Sequence, residues 1–452
     1  MDQIRPIPNS STRKPTSLAA AQESDDEPVD LVKISEELAK PFALLMVLIA
    51  SIILRPWDYI PGLSSIKPVT LMILSTSGLV LLSGTKLRFF SIPLSRVLLT
   101  LWLTMIFTTP FSIWIAPSAT LAITLAQYLL LFALIGTIIV STDALYRMTY
   151  VLVVTGLVLG LAAIKTGAMG PFLADGRIIG IGEGLLSDPN DLAHILVIIA
   201  PLTWWALVSM KGLLVRGAIA GSLLLIMAGM VTTQSRGGLL SLLAAGAVFF
   251  VLSRESIAKK LSLVVLALIL AVAALPSNIT ERYASIGTAA RTDESSQARL
   301  AVWRAGGQMF VDHLFTGVGL GNFEDAYGSM YIDRQGAGKV WRSAHNSVVE
   351  VAGELGIVGV SSWLLFTLSP FILLWRARKS MLEIDDFTPD DERLTLWLEV
   401  MMASMTGFFV GAMFLSKAFE ILVPLVVAAA VVGSVMGHRW SEARINGVQP
   451  TP

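Results

Sequence analysis

The chain has 452 residues, of which 54% are hydrophobic and only 15% charged, with a mean hydropathy of +0.71. Soluble domains carry about 25% charged residues, so this composition excludes an ordinary soluble domain and implies an integral membrane protein. A net charge of +0 leaves no basic surplus for nucleic acid, and the absence of cysteine removes disulfides, thiol nucleophiles and thiolate metal sites together.

Residues 1–37 are polar and rich in Pro, Ser, Asp and Glu. They hold too few apolar residues to fold alone and lack the basic-then-apolar order of a secretory signal, so a disordered tail is expected. A membrane span needs about 20 mostly apolar residues. Nine stretches within 38–275 qualify, near 38–54, 68–84, 94–110, 118–140, 148–166, 190–209, 213–232, 237–252 and 257–275. Three more lie within 346–438, near 346–376, 395–415 and 418–437. The fold class expected is therefore an all-α polytopic membrane protein of about twelve transmembrane helices. Pro56, Pro68, Pro93, Pro110, Pro117 and Pro276 punctuate the span ends. Between the two groups of spans runs one long polar loop, residues 276–345, and a short tail, 439–452, follows the last span.

Lys and Arg in the connections set the orientation. Fifteen fall on one side; the other, apart from the long loop, carries six: Arg55, Lys67, Lys165, Arg177, Arg236 and Lys417. The richer side is read as cytoplasmic, which puts both tails inside and the long loop outside. Polar residues at span ends then gather at the outer face. Asp188, Asn190, Asp191 and His194 open the sixth span, Gln234 and Arg236 lie between the seventh and eighth, and His345, Asn346 and Glu350 open the tenth. Lys417 and Glu420 flank the last outer turn. Charge at mid-depth would mark a transport path; charge collected at one boundary favours chemistry at the water–lipid surface.

Three segments carry that chemistry. In Thr232-Thr233-Gln234-Ser235-Arg236-Gly237-Gly238, the arginine fork suits a pair of phosphate oxygens and the glycines permit close backbone approach; the alternative is an arginine that snorkels to headgroups. In the loop segment Gln297-Ala298-Arg299-Leu300-Ala301-Val302-Trp303-Arg304, residues Leu300, Trp303, Gly307, Phe310 and Leu314 recur at helical spacing, with Arg304, Gln308 and Asp312 opposite. That predicts an amphipathic helix lying on the membrane or over a cavity, with Arg299 at the edge of its apolar face and either functional or merely solvated. The glycine-rich run from Thr316 to Phe323 lacks the strand context of a dinucleotide fingerprint and reads as a close-packing turn.

The third segment, Ala344-His345-Asn346-Ser347, begins the tenth span. Ser343 or Asn346 is a candidate cap, and Asn346, Glu350 and Glu354 share one helix face. A helix N-terminus and nearby arginines would keep His345 neutral and able to accept a hydroxyl proton; the plain alternative is a capping histidine. Asp188-Pro189-Asn190-Asp191 either binds substrate hydroxyls or caps the sixth span. No histidine pair has metal-ligand spacing and the outer carboxylates form no obvious cluster, so no metal is expected; no other cofactor is expected either.

Together these segments resemble the O-antigen ligase and polymerase superfamily of membrane glycan-processing proteins. Gln234-Ser235-Arg236-Gly237-Gly238 is similar to its membrane-boundary arginine motif. Arg299-x-x-x-Trp303 with Asp312-His313 and Gly317-Val318-Gly319-Leu320-Gly321-Asn322-Phe323 resembles its loop segment, and Ala344-His345-Asn346-Ser347 with Glu350 and Glu354–Gly359 its His-Asn signature. The match runs from about Asp188 to Gly359, with one departure: Leu314-Phe315-Thr316 stands where a proline commonly precedes the threonine and glycine.

The resemblance implies a GT-C-like architecture, a donor glycan on undecaprenyl diphosphate, and a glycan or lipid A–core acceptor, all handled at the outer face of the cytoplasmic membrane. It also implies partners in a polysaccharide assembly complex. Carried over, Arg236 and Arg299 would bind the diphosphate and His345 would act as base or orient the acceptor. Gln234, Asn346, Glu350, Arg304 and Arg342 are expected at the substrate, as are Asp188, Asn190 and Asp191. A polytopic transporter or flippase is the alternative that the span count leaves open.

Overall fold

Apolar runs become most of the helices of this protein, several of them started by a proline or by a Ser, Asp, Asn or Thr cap. The computed structural model describes residues 38–60, 62–170, 185–254, 294–332 and 341–450. In chain order the helices are α1 (Ala39–Leu54), α2 (Pro68–Leu82), α3 (Ser95–Thr108), α4 (Ile115–Leu125), α5 (Gln127–Ile138), α6 (Thr142–Met169) and α7 (Pro189–Ser209). They continue with α8 (Leu213–Thr232), α9 (Arg236–Leu252), α10 (Glu294–Asp312), α11 (Phe323–Ala326), α12 (Ser347–Met381), α13 (Pro389–Ala412) and α14 (Leu422–Ile445). No strand occurs among the described residues.

Among the described residues, eight helical segments are long and apolar enough to cross a membrane, and α1, α9 and the stretch Ser95–Phe111 are apolar but shorter. The chain is a multi-pass helical membrane protein. The expected span near 257–275, the tail 1–37 and residues 276–293 of the loop lie outside the described residues. The span expected near 118–140 is two helices that meet at Ala126. The last long helix but one starts at Pro389 rather than near 395, because Thr388 and Asp391 form a capping box that recruits an acidic first turn.

Within lipid the helices cannot be held together by expulsion of water from apolar faces, so close approach of small residues matters more. At the crossing of α6 and α8, a Cβ on Gly229 would lie 2.8 Å from Gly160 Cα. The inner layer is α7, α13 and α14, the most buried of the apolar helices; α9 packs on α13, and α12 on α14.

The two ends of this bundle differ. At one, Arg378 of α12 pairs with Glu399 at 2.8 Å and caps the Leu252 carbonyl, while Arg444 pairs with Asp391. At the other, the starts of α7, α9 and α12 meet the turn between α13 and α14, and the helix of the long loop, α10, packs there on α12.

The loop helix corrects one expectation. Its buried face is Val302, Ala305 and Met309, whereas Leu300 and Leu314 are exposed. Gly306 explains the rotation: a side chain there would run into Val349 of α12. Trp303 and Phe310 of the expected face are half-buried, so the docked face is shifted toward the small residues that permit close approach rather than reversed.

The glycine-rich run behaves as a packing turn. Gly317, Gly319 and Gly321 all have positive φ, and Val318 and Gly319 donate to the carbonyls of Gly353 and Glu354 at 2.8 and 3.0 Å. Those carbonyls are free because Gly356 leaves the helical conformation at φ 63° and breaks the ladder of α12. A Cβ on Gly317 would enter the Glu354 backbone. Gly317→Ala should therefore destabilise this junction by about 2–4 kcal/mol, visible as a lower thermal aggregation midpoint in detergent.

Candidate active site

The site is assembled from backbone outward. Asp188 caps α7 by accepting from the Asn190 amide at 2.7 Å, with Pro189 at the first helical position. Its Oδ1 also accepts from Asn190 Nδ2 at 3.0 Å, which turns the Asn190 carbonyl oxygen outward to accept from Ser235 Oγ at 2.8 Å. Ser235 is in turn the cap of α9, accepting from the Gly238 amide at 3.0 Å. The starts of α7 and α9 are thus locked by one chain of polar groups. Gln234, buried, takes φ 54° to make the turn, and Arg236 occupies the first turn of α9, half-buried. The neighbouring glycines serve packing at least as much as ligand approach: a Cβ on Gly238 would lie 2.8 Å from that of Ala193.

Across from this pair stands the His-Asn segment. Asn346, not Ser343, caps α12, its Oδ1 accepting from the Val348 and Val349 amides at 3.0 and 3.1 Å. The preceding His345 has φ 45°, a conformation that a non-glycine residue adopts only when its surroundings impose it. Three contacts do so. Trp303 of α10 donates to the Ala344 carbonyl at 2.9 Å, the His345 amide donates to Ser416 Oγ at 2.9 Å, and Ser347 Oγ donates to the Leu415 carbonyl at 2.9 Å. The imidazole, half-buried, has Nε2 3.3 Å from Ser343 Oγ.

The turn between α13 and α14 is the brace. Lys417 pairs with Asp191 at 2.9 Å and with Glu420 at 3.4 Å, its amide donates to Ser347 Oγ at 3.0 Å, and the Ala418 amide reaches Glu350 at 3.4 Å. Glu354, one turn deeper, accepts from the Gly321 and Phe323 amides at 2.6 and 3.1 Å. Asp191, Glu350 and Glu354 are thus occupied in holding elements together. The sequence flagged Lys417 and Glu420 as polar groups at this face but gave no reason to place Ser416, whose role depends on the backbone position of a residue 71 places earlier.

Arg299 of α10 comes to the same place. It lines a cleft of about 280 Å³ together with Asn190, Ser235, Gly237 and Phe414. Burial and then the nearby Arg299 charge hold the His345 pKa below the ordinary imidazole value, with Lys417 and exposed Arg342 acting the same way and Asp188 opposing them. Arg299 and His345 therefore share one electrostatic environment, which also includes Asp188 and Lys417. Arg236 begins its helix one residue beyond the cleft-lining Ser235. Arg304 is exposed on the outer side of α10, as its place opposite the apolar face requires, and it does not line the cleft, so the expected substrate contact is not formed. Among the described residues no group of three metal-ligating side chains occurs.

Fold and site define a class: a polytopic helical membrane protein with a basic, polar cleft at one end of its bundle, closed by a helix from a long loop. Residues 220–364 match the family model described as O-antigen ligase. This stretch contains all of α9, the described part of the loop, and the His-Asn start of α12. That match supports a relation to the O-antigen ligase/polymerase superfamily and, at a general level, glycan transfer of that type. No curated protein matches the chain.

Proposed function

We propose that this protein transfers a glycan from an undecaprenyl-diphosphate carrier to a sugar hydroxyl at the outer face of the cytoplasmic membrane, as a ligase to lipid A–core or as a polymerase of repeat units. The observation that supports the reading is that Arg299 lines the cleft beside the Asn190–Ser235 lock and lies near enough to His345, from a distant part of the chain, for its charge to act on the imidazole. In this reading the bundle crosses the membrane twelve times in a GT-C-like arrangement, with both tails cytoplasmic. The interfacial position suits a donor whose prenyl chain remains in lipid while its sugar meets water.

The acceptor hydroxyl oxygen attacks the anomeric carbon with inversion as its proton passes to a neutral His345 nitrogen. The bond from the anomeric carbon to the diphosphate oxygen breaks, and the bonding pair leaves on the prenyl diphosphate. Arg236 and Arg299 stabilise the charge that grows there. No nucleotide is consumed, since the diphosphate is already a good leaving group. Asp188, Asn190 and Gln234 shape the walls, and Asn346, Glu350 and Asp191 position His345 and the brace.

The test is reconstitution in liposomes with a prenyl-diphosphate-linked glycan and an acceptor glycan. Release of prenyl diphosphate together with a lengthened acceptor is expected; movement of the donor across the bilayer with no transfer would instead favour a flippase. In a deletion strain, accumulation of long lipid-linked polymer identifies a ligase, and accumulation of single lipid-linked repeats a polymerase.

A further inference from the structure

His194 lies on α7 four residues beyond Asn190, so the two share one helix face, with His194 one turn, about 5.4 Å, further into the bundle. Both line the cleft that Arg299 borders. His194 is only 3% exposed, and neither ring nitrogen has a hydrogen-bond partner in the protein. Buried polar atoms left in this state cost roughly 1–3 kcal/mol each, so a structure that keeps two of them in one side chain invites a partner from outside.

The surroundings are shaped to admit one. The imidazole packs against Phe408, with ring centres 5.3 Å apart and planes tilted by 42°. Gly411 of α13 faces Nδ1, and any side chain there would collide with the ring. Gly237 and Gly238 line the adjoining wall. The cleft, about 280 Å³ with the solvent-open space at its edge included, falls short of the about 300–1,000 Å³ of small-ligand clefts, so a ring substituent, and not a whole ring or a polymer, reaches His194.

The chemistry of the walls sorts the ligand. The Arg299 guanidinium at the mouth has only donors and suits phosphate oxygens. A neutral imidazole has one donor and one acceptor, whereas a fully ionised phosphate offers acceptors alone and would leave one nitrogen unmet. Hydroxyl and amide substituents of a sugar ring offer both.

We infer that His194 contacts the substrate by hydrogen-bonding ring substituents of the first sugar of the donor, while Arg299 above it holds the diphosphate. The inference rests on the transfer reaction proposed above, and it makes His194 a determinant of which sugar the enzyme accepts.

Two probes test it: a short-chain prenyl diphosphate bearing one N-acetylhexosamine, and the same prenyl diphosphate without sugar, each titrated calorimetrically into purified full-length protein. Wild type should bind the sugar-bearing probe more tightly. His194→Ala should weaken that probe about tenfold and leave the sugar-free probe unchanged, and the unchanged affinity also reports an intact fold. Arg299→Ala should weaken both. Retention of the wild-type preference by His194→Ala overturns the inference, as does equal weakening of both probes or a wild type that does not distinguish them. Should His194→Ala not be recovered folded, His194→Asn, with a shorter side chain that still donates and accepts, is judged by the same criteria. Binding of neither probe by wild type overturns the transfer reading itself; the other failures overturn only the role of His194.

Discussion

Replacing His345 by alanine is expected to lower the rate of glycan transfer by about 10²–10⁴-fold, the usual contribution of a positioned general base, with protein of normal abundance in the membrane. The fold should survive because the contacts that shape this segment are made by its backbone and its neighbours: the Ala344 carbonyl, the His345 amide and the Ser347 hydroxyl. His345→Asn is the stricter version, since asparagine tolerates the positive φ of this position better than alanine. The same assignment fixes a pH profile. Burial and the Arg299 charge lower the His345 pKa, so the neutral, proton-accepting form prevails from pH 7 to below the ordinary value of about 6.5. Wild-type rate should stay level across that interval and fall only when pH drops through the lowered pKa. Reconstituted transfer assays at a series of pH values read both results; transfer by either variant at the wild-type rate would remove His345 from the chemistry.

Much of this site was legible because polar residues at the ends of apolar runs are expensive to keep in a membrane. Asp188, Arg236 and His345 stand out against the hydropathy pattern, and alternation of the spans predicts a common face for them. The caps were half legible: Asp188 and Asn346 were each assigned two possible roles, and the first-turn amides use both. What the sequence could not give was anything set by approach of one backbone to another. The face by which α10 docks follows from Gly306 meeting Val349, and a pattern of large apolar residues carries no trace of it. Ser416 reads as an ordinary turn residue until its hydroxyl is seen under the His345 amide. His194 was visible as a polar group at a span end, but its unmet nitrogens are a property of the packed interior.

Arg299→Gln should lower transfer by about 10²–10³-fold, the range for losing one donor aimed at a developing negative charge. This variant has a second consequence that loss of binding alone would not produce. The Arg299 charge opposes protonation of His345, so its removal must raise the imidazole pKa and move the acid limb of the residual activity to higher pH. Burial, the larger cause, remains in place, and the limb should therefore move only part of the way back to the ordinary imidazole value. Arg299→Lys keeps the charge but not the planar fork, so the acid limb should stay near its wild-type position while the rate still falls. Arg304→Gln, on the exposed side of the same helix, should change neither rate nor profile. Single-turnover rates across pH for these three variants separate charge from geometry at one position: an acid limb unmoved in Arg299→Gln would mean that the guanidinium does not act on the imidazole, and the proposed chemistry would lose the pairing on which it depends.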